Sequence, residues 1–225
     1  MQAHPWLANT VDWRLYYVTD TELSGGLDRV PQIVEAAVRG GAGVVQVRDK
    51  HIDDDTFRQL TRDCMAANDR AFDATGRRAA IVVNDRLRIA EELGLHFHQG
   101  QDDGDIHDAR RRLGKDLLIG LSISSDIELE AELADQTADV LGLSPIWSTP
   151  TKTDTAEPLG LTGAQHLVEL TAKRAKTVAI GGINPLNARW AIETGVDGIC
   201  VVSAIASSDD PESAAQTLLS LWRTR

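Results

Sequence analysis

Cysteine is scarce in this chain of 225 residues: only Cys64 and Cys200 occur, far apart, and neither belongs to a CxxC pair or a Cys/His cluster. That argues against a disulfide framework or a structural zinc site and fits two reduced thiols in a core. Long apolar runs are missing as well. No stretch approaches the roughly 18 uninterrupted apolar residues that a membrane span needs, so a membrane is not an expected partner. Basic residues are the minority charge, with 23 Lys and Arg against 34 Asp and Glu and a net charge of −11. Binding to nucleic-acid backbone or to an anionic membrane surface needs basic surface, so no nucleic-acid partner is expected and any anionic ligand must be held locally. Low-complexity tracts, residue-level repeats and Pro/Ser-rich linkers are also absent, so one domain over 1–225 is expected, with 1–12 a short N-terminal extension. That extension has neither the basic start nor the apolar run of a secretory signal, which makes the cytoplasm the expected location.

What the chain does contain is an alternation. Short β-branched runs recur at 15–18, 44–48, 81–83, 95–98, 117–121, 140–143, 177–180 and 198–202. Stretches with apolar residues three or four apart lie between them, for example at 30–39, 54–72, 86–93, 127–133, 162–171, 185–193 and 211–222. Eight βα units in a chain of this length predict an α/β fold, a single-domain (β/α)8 TIM barrel, rather than an open doubly wound sheet. Such barrels carry their chemistry on the loops after the C-terminal strand ends, so those loops are where ligands should sit.

The second strand runs into Gln46-Val47-Arg48-Asp49-Lys50. Side chains alternate along a strand, so Gln46, Arg48 and Lys50 share a face, and an amide, a guanidinium and an ammonium together suit a polyanionic ligand. The competing reading pairs Arg48 and Lys50 with Asp49 or Asp53 at the surface. The third strand ends in Asn84-Asp85 and the fourth in Gln101-Asp102-Asp103. Carboxylates on adjacent strand ends can share Mg²⁺, which takes one or two carboxylates together with phosphate oxygens and water, or they can cap the helices that follow. His96 and His98 alternate on the fourth strand and read as polar wall or core packing rather than as a metal pair. Ser122 ends the fifth strand as a hydrogen-bond donor, with no neighbouring His or Lys in sequence to activate it.

After the sixth strand, Ser144-Pro145-Ile146-Trp147-Ser148-Thr149-Pro150-Thr151-Lys152 opens a loop with no helix before Thr162. A loop of that length in a compact domain is usually functional, and Thr149, Thr151 and Lys152 offer two hydroxyls and a cation to pyrophosphate oxygens. The seventh strand ends Gly181-Gly182-Ile183 and the eighth Val202-Ser203. Phosphate sites in these barrels are frequently built from those two loops.

In that order, Gln46-Val47-Arg48-Asp49-Lys50, Val83-Asn84-Asp85-Arg86, Gly100-Gln101-Asp102-Asp103, Gly120-Leu121-Ser122, Thr149-Pro150-Thr151-Lys152, Ile180-Gly181-Gly182-Ile183 and Val202-Ser203 closely resemble the thiamine phosphate synthase family, from about Leu15 to Ile205. The resemblance implies the coupling of 4-amino-5-hydroxymethyl-2-methylpyrimidine diphosphate to a carboxylated thiazole phosphate, with release of pyrophosphate and CO₂. It implies that Gln46, Arg48, Lys50, Asn84, Ser122 and Lys152 bind the pyrimidine diphosphate, with Arg48, Lys152 and Ser122 catalytic. It further implies that Asp85 and Asp103 ligate Mg²⁺, and that Thr149, Thr151, Gly182, Val202 and Ser203 hold the thiazole phosphate. Loss of pyrophosphate from a benzylic-type carbon needs no protein nucleophile, which agrees with the absence of a catalytic triad.

The chain departs from the family pattern in four places. Asp49 stands where Glu is usual, the 94–100 segment is about one residue short and carries His96, Ser144 replaces a common glycine, and Ser124-Ser125 replaces a frequent histidine. Rival readings on the same barrel are a thiazole tautomerase, a non-catalytic regulatory relative, and an unrelated phosphate-binding epimerase or aldolase. Trp13, Trp147, Trp190 and Trp222 are expected to pack in the core or lid rather than to mark an interface, and association into a homo-oligomer stays open.

Overall fold

The computed structural model describes residues 2–4, 6–148 and 157–223. The β-branched runs form eight parallel strands in a closed barrel, β1 (Leu15–Val18), β2 (Val44–Val47), β3 (Ala80–Asn84), β4 (His96–Gln99), β5 (Ile119–Ile123), β6 (Val140–Leu143), β7 (Lys176–Ile180) and β8 (Gly198–Val201). Neighbours in sequence are neighbours in space, and β1 pairs with both β2 and β8, which closes the cylinder. The helices are α1 (Leu7–Thr10) ahead of the barrel, then α2 (Val30–Gly40), α3 (Asp54–Thr75), α4 (Leu87–Leu93), α5 (Ile106–Leu113), α6 (Asp126–Asp135), α7 (Gly160–Thr171), α8 (Ala188–Glu193), α9 (Ser203–Ala206) and α10 (Pro211–Ser220). The predicted (β/α)8 barrel is the fold observed.

Strand parity sorts the core into two layers. Tyr16, Val18, Val44, Val82, Leu118, Val140, Val178 and Cys200 meet inside the barrel. Their odd-numbered neighbours, among them Tyr17, Val45, Val47, Val83, Ile119, Leu141 and Ile199, pack outward against the helices. The apolar inner cluster fills the N-terminal end of the cylinder, and polar residues of the same parity occupy the C-terminal end. Both cysteines are buried free thiols, and burial pushes Cys64 up to about 12. No helix among the described residues is long and apolar enough to cross a membrane.

The N-terminal segment closes the lower end. Ala3 and Trp13 join the inner cluster, and the Trp13 indole N–H donates to the Ala8 carbonyl at 2.6 Å. The Ala3 amide donates to Asp139 Oδ1 at 2.8 Å, while Asp139 Oδ2 accepts from buried Arg110 at 2.5 Å and from the Ile119 amide at 2.8 Å.

Several element ends differ from the sequence reading. β2 stops at Val47, so Arg48 belongs to the loop beyond it. The helix expected from 185 starts only at Ala188, because Asn187 Oδ1 accepts the Asn184 amide and Asn184 Oδ1 accepts the Leu186 amide, holding a turn there instead. Trp13 is buried and Trp147 and Trp222 are half-buried, as expected, but Trp190 is 56% exposed. On the short α8 the face toward the barrel is taken by Ala188, Ala191 and Ile192, which leaves Trp190 outside.

Candidate active site

The polar ends of the strands surround a cavity of about 140 Å³ at the C-terminal mouth of the barrel. Gln46, Arg48, Lys50, Asn84, Asp103 and Ser122 line one part of it. Gly182, Val202 and Ser203 line another, so residues from six strand ends converge on one space. A wider basin of about 910 Å³ opens beside it and shares Arg48, Lys50, Gly100 and Asp103. Thr149, Thr151 and Lys152 lie outside the described residues.

The predicted set on β2 is divided by depth. Gln46 is buried in the barrel, where its Nε2 donates to the Tyr16 hydroxyl at 2.7 Å. Lys50 stands in the loop beyond, with its Nζ 3.2 Å from Asp85 Oδ2 and 3.4 Å from Asp103 Oδ1. The alternative pairing with Asp49 or Asp53 does not occur. Asp49 accepts from the Thr21 hydroxyl at 2.5 Å and from the His51 and Ile52 amides, and Asp53 caps α3 through the amides of Asp55 and Thr56. Burial opposes the charge on Asp49, but the Thr21, His51 and Ile52 hydrogen bonds outweigh it and hold the carboxyl below its ordinary range. The Asp that replaces the usual Glu therefore builds the loop, and Lys50 is left to face the two carboxylates across the mouth.

Neither of those carboxylates caps a helix. Arg86 occupies the cap position of α4 without a side-chain cap, and Asp105 caps α5. Asp85 has φ of 59°, unusual for a residue with a Cβ. Two successive three-residue turns produce this, with the Arg86 amide donating to the Asn84 carbonyl at 2.7 Å and the Leu87 amide to the Asp85 carbonyl at 3.1 Å. The Asp85 amide is fixed separately by the His98 carbonyl at 2.9 Å. Burial, reinforced by the charge of Asp103, pushes the Asp85 carboxyl above its ordinary range despite Lys50. Burial also opposes the charge on Asp103, but the Gly100 amide and Lys50 outweigh it and hold that carboxyl low. One oxygen of Asp85, Oδ1, is buried and has no partner. Two carboxylates face the single ammonium of Lys50, and one of them keeps an oxygen without a partner, so the site has room for further positive charge.

The sequence reads His98 as polar wall or core packing and shows no histidine near Ser122; the wall alternative is the one observed, but the contact with Ser122 is not legible there. The barrel brings His98 Nε2 within 3.1 Å of Ser122 Oγ, on the cavity wall. Gly120 makes the room, since a Cβ there would collide with His98 Nδ1. A glycine at an inward position one strand along was the available signal. His96 behaves as expected: its Nδ1 accepts the Leu118 amide at 3.1 Å, and burial lowers it to about 4, so it is neutral.

The other side of the mouth is built by close backbone approach. A Cβ on Gly181 would stand 2.8 Å from that of Pro145, and one on Gly182, at φ of 67°, would stand 3.0 Å from that of Trp147. Glycine therefore lets the loop after β6 lie against the turn after β7, where the Trp147 amide donates to the Gly181 carbonyl at 3.2 Å.

Residues 15–205 match the family model described as thiamine monophosphate synthase. The chain is 41% identical over 218 residues to the thiamine biosynthesis multifunctional protein ThiED of Corynebacterium efficiens, covering 94% of this chain but 29% of that protein. It thus spans under a third of the length of that multifunctional relative. It is also 41% identical over 218 residues to the thiamine-phosphate synthase of Chloroflexus aurantiacus, covering 96% of this chain and 95% of that one. The structure superposes on the thiamine phosphate pyrophosphorylase of Pyrococcus furiosus with a TM-score of 0.74 at 30% identity, covering 94% and 96% of the two chains. Matched over most of its length in sequence and fold, this chain belongs to the thiamine monophosphate synthase family.

Proposed function

We propose that the protein is a thiamine phosphate synthase that joins 4-amino-5-hydroxymethyl-2-methylpyrimidine diphosphate to a thiazole phosphate, and that its whole length acts as one barrel in the cytoplasm. The C–O bond to the diphosphate breaks with its electron pair leaving on pyrophosphate. The thiazole nitrogen then supplies the pair for the new C–N bond, and a carboxylated thiazole also loses CO₂.

The observation that carries this reading is the Lys50–Asp85–Asp103 cluster beside Arg48 at the barrel mouth. Asp85 and Asp103 suit Mg²⁺, because two carboxylates, an orphaned buried oxygen and no third acidic or histidine ligand among the described residues leave the remaining coordination to phosphate oxygens and water. The metal, when bound, supplies positive charge to the departing pyrophosphate. Arg48 and Lys50 face the same charge from the loop after β2, joined by Lys152. Gln46, Asn84 and Ser122 hold the pyrimidine, with His98 orienting the Ser122 hydroxyl. Gly182, Val202 and Ser203, with Thr149 and Thr151, hold the thiazole phosphate. Catalysis then consists of stabilising the leaving charge and keeping two rings in line.

The test supplies purified protein with both substrates, with and without Mg²⁺, and follows pyrophosphate and thiamine phosphate. Metal-dependent formation of both is expected. Binding of thiazole phosphate with no coupled product would overturn the synthase reading in favour of a tautomerase or a regulatory relative.

A further inference from the structure

Arg86 lies next to Asp85, yet its side chain turns away from the cavity and ends in the loop that carries Lys50. Its Nη2 donates to the carbonyls of Ile52 at 2.6 Å and Asp49 at 3.0 Å. Its Nη1 pairs with Asp54 Oδ1 at 2.5 Å, at the first turn of α3. The guanidinium carbon sits 4.4 Å above the centre of the buried Phe57 ring. One planar group thus grips the backbone on both sides of Lys50, the start of α3 and the aromatic ring beneath, a set of contacts that an ammonium, with its donors on one nitrogen and no plane to lay on the ring, does not reproduce.

The other end of Arg86 is the turn that holds Asp85 at φ of 59°. A non-glycine residue in that region persists only where its surroundings over-determine it, and here the Asp85 amide and the Arg86 side chain provide the two ties. Beyond the last β2–β3 pair, Val47 with Val83, the Arg86 side chain therefore ties the backbone of the Lys50 loop to the Asp85 turn. The inner face of the same loop is held independently by Asp49, through Thr21, His51 and Ile52. With Asp49 inside and Arg86 outside, the loop has one way to present Lys50.

We infer that Arg86 is a positioning residue for the reaction, fixing Lys50 and Asp85 at the spacing the pyrophosphate end of the site requires while touching neither substrate. This rests on the synthase reading of that cluster.

The test compares wild type, Arg86→Met and Arg86→Lys. For Arg86→Met, kcat is expected to fall on the order of 10- to 100-fold, the loss that follows a misplacement of about 1 Å. Half-saturating Mg²⁺ is expected to rise while KM for thiazole phosphate, bound across the mouth, stays near wild type. Amide hydrogen exchange, which needs no turnover, is expected to quicken at 49–52 with the remaining strands unchanged. Arg86→Lys keeps the charge and the Asp54 pair, so it should melt like wild type yet recover only part of kcat, and it decides the matter if the methionine variant does not fold. Unchanged kcat and Mg²⁺ response in a folded variant would overturn the inference, as would full rescue by lysine or exchange that rises evenly over the whole chain. A wild-type protein that makes no thiamine phosphate would count against the synthase reading instead, and exchange at 49–52 would still report on the clamp.

Discussion

At the scale of single residues, the site is an arrangement of charges that do not balance internally. Lys50 answers part of the charge on Asp85 and Asp103, but Asp85 Oδ1 remains without a partner. Asp85→Asn keeps the shape and removes a charge that burial already disfavours, so the variant should fold while losing turnover by about 100-fold or more, equivalent to roughly 3 kcal/mol of transition-state stabilisation. Steady-state rates at several Mg²⁺ concentrations check this, and near-normal activity would remove Asp85 from the site. A second prediction concerns space. In Gly120→Ala the new methyl meets His98 Nδ1, whereas in Gly142→Ala the nearest His98 atom is at an ordinary 3.5 Å. Gly120→Ala should cost about 1–3 kcal/mol of stability by overpacking and displace His98 from Ser122, whereas Gly142→Ala should melt closer to wild type. Equal melting temperatures for the two would show that the ring relaxes freely.

At the scale of elements, the strands are short and their ends are tied by buried side chains. Asp139, just ahead of β6, joins three separate pieces of chain: the Ala3 amide, the β5 amide of Ile119 and the Arg110 guanidinium on α5. Both members of the ion pair are almost fully buried, at 6% and 7% exposure, so removing one leaves an uncompensated charge. Asp139→Ala should therefore destabilise by about 3–5 kcal/mol and release the N-terminal segment to faster proteolysis. Urea denaturation measures the first effect and limited digestion the second. A loss under about 1 kcal/mol would show that water replaces the carboxylate at the barrel base.

At the scale of the whole molecule, stability depends on pH through groups that folding removes from water. Burial lowers His96 from 6.5 to about 4, so above pH 6.5 neither folded nor unfolded chain carries its proton and its contribution is constant. As pH falls below 6.5 the unfolded chain takes up a proton that the folded chain refuses, and stability declines by about 3 kcal/mol by the time pH reaches the folded value. Glu132, whose carboxyl burial pushes up, works in the opposite sense. The difference between wild type and His96→Asn, which keeps an acceptor for the Leu118 amide, isolates the histidine contribution. Urea midpoints that fall in parallel for both proteins from pH 6.5 to 4.5 would show that His96 gains its proton without loss of the fold. Because β1 and β8 close one hydrogen-bonded cylinder, we expect a single cooperative transition in such experiments, with coincident far-ultraviolet and tryptophan signals.

The sequence alone determined the features that repeat along the chain. Strand and helix periods, and the parity that turns Gln46 into the barrel, are set by neighbours two to four residues apart, so they can be read without coordinates, whereas Arg48 and Lys50 lie beyond the end of β2 and are placed by their loop. The Gly181-Gly182 turn and the carboxylates at strand ends were legible for the same reason. The meetings between distant segments were decided only by the closed barrel. Lys50 reaches Asp85 and Asp103, His98 reaches Ser122, and Arg86 grips the 49–52 loop because strand register and closure bring side chains from different units to the same height. Sequence spacing carries no record of that height, since it depends on how far each strand slides against the next and on which way each loop turns as it leaves the sheet.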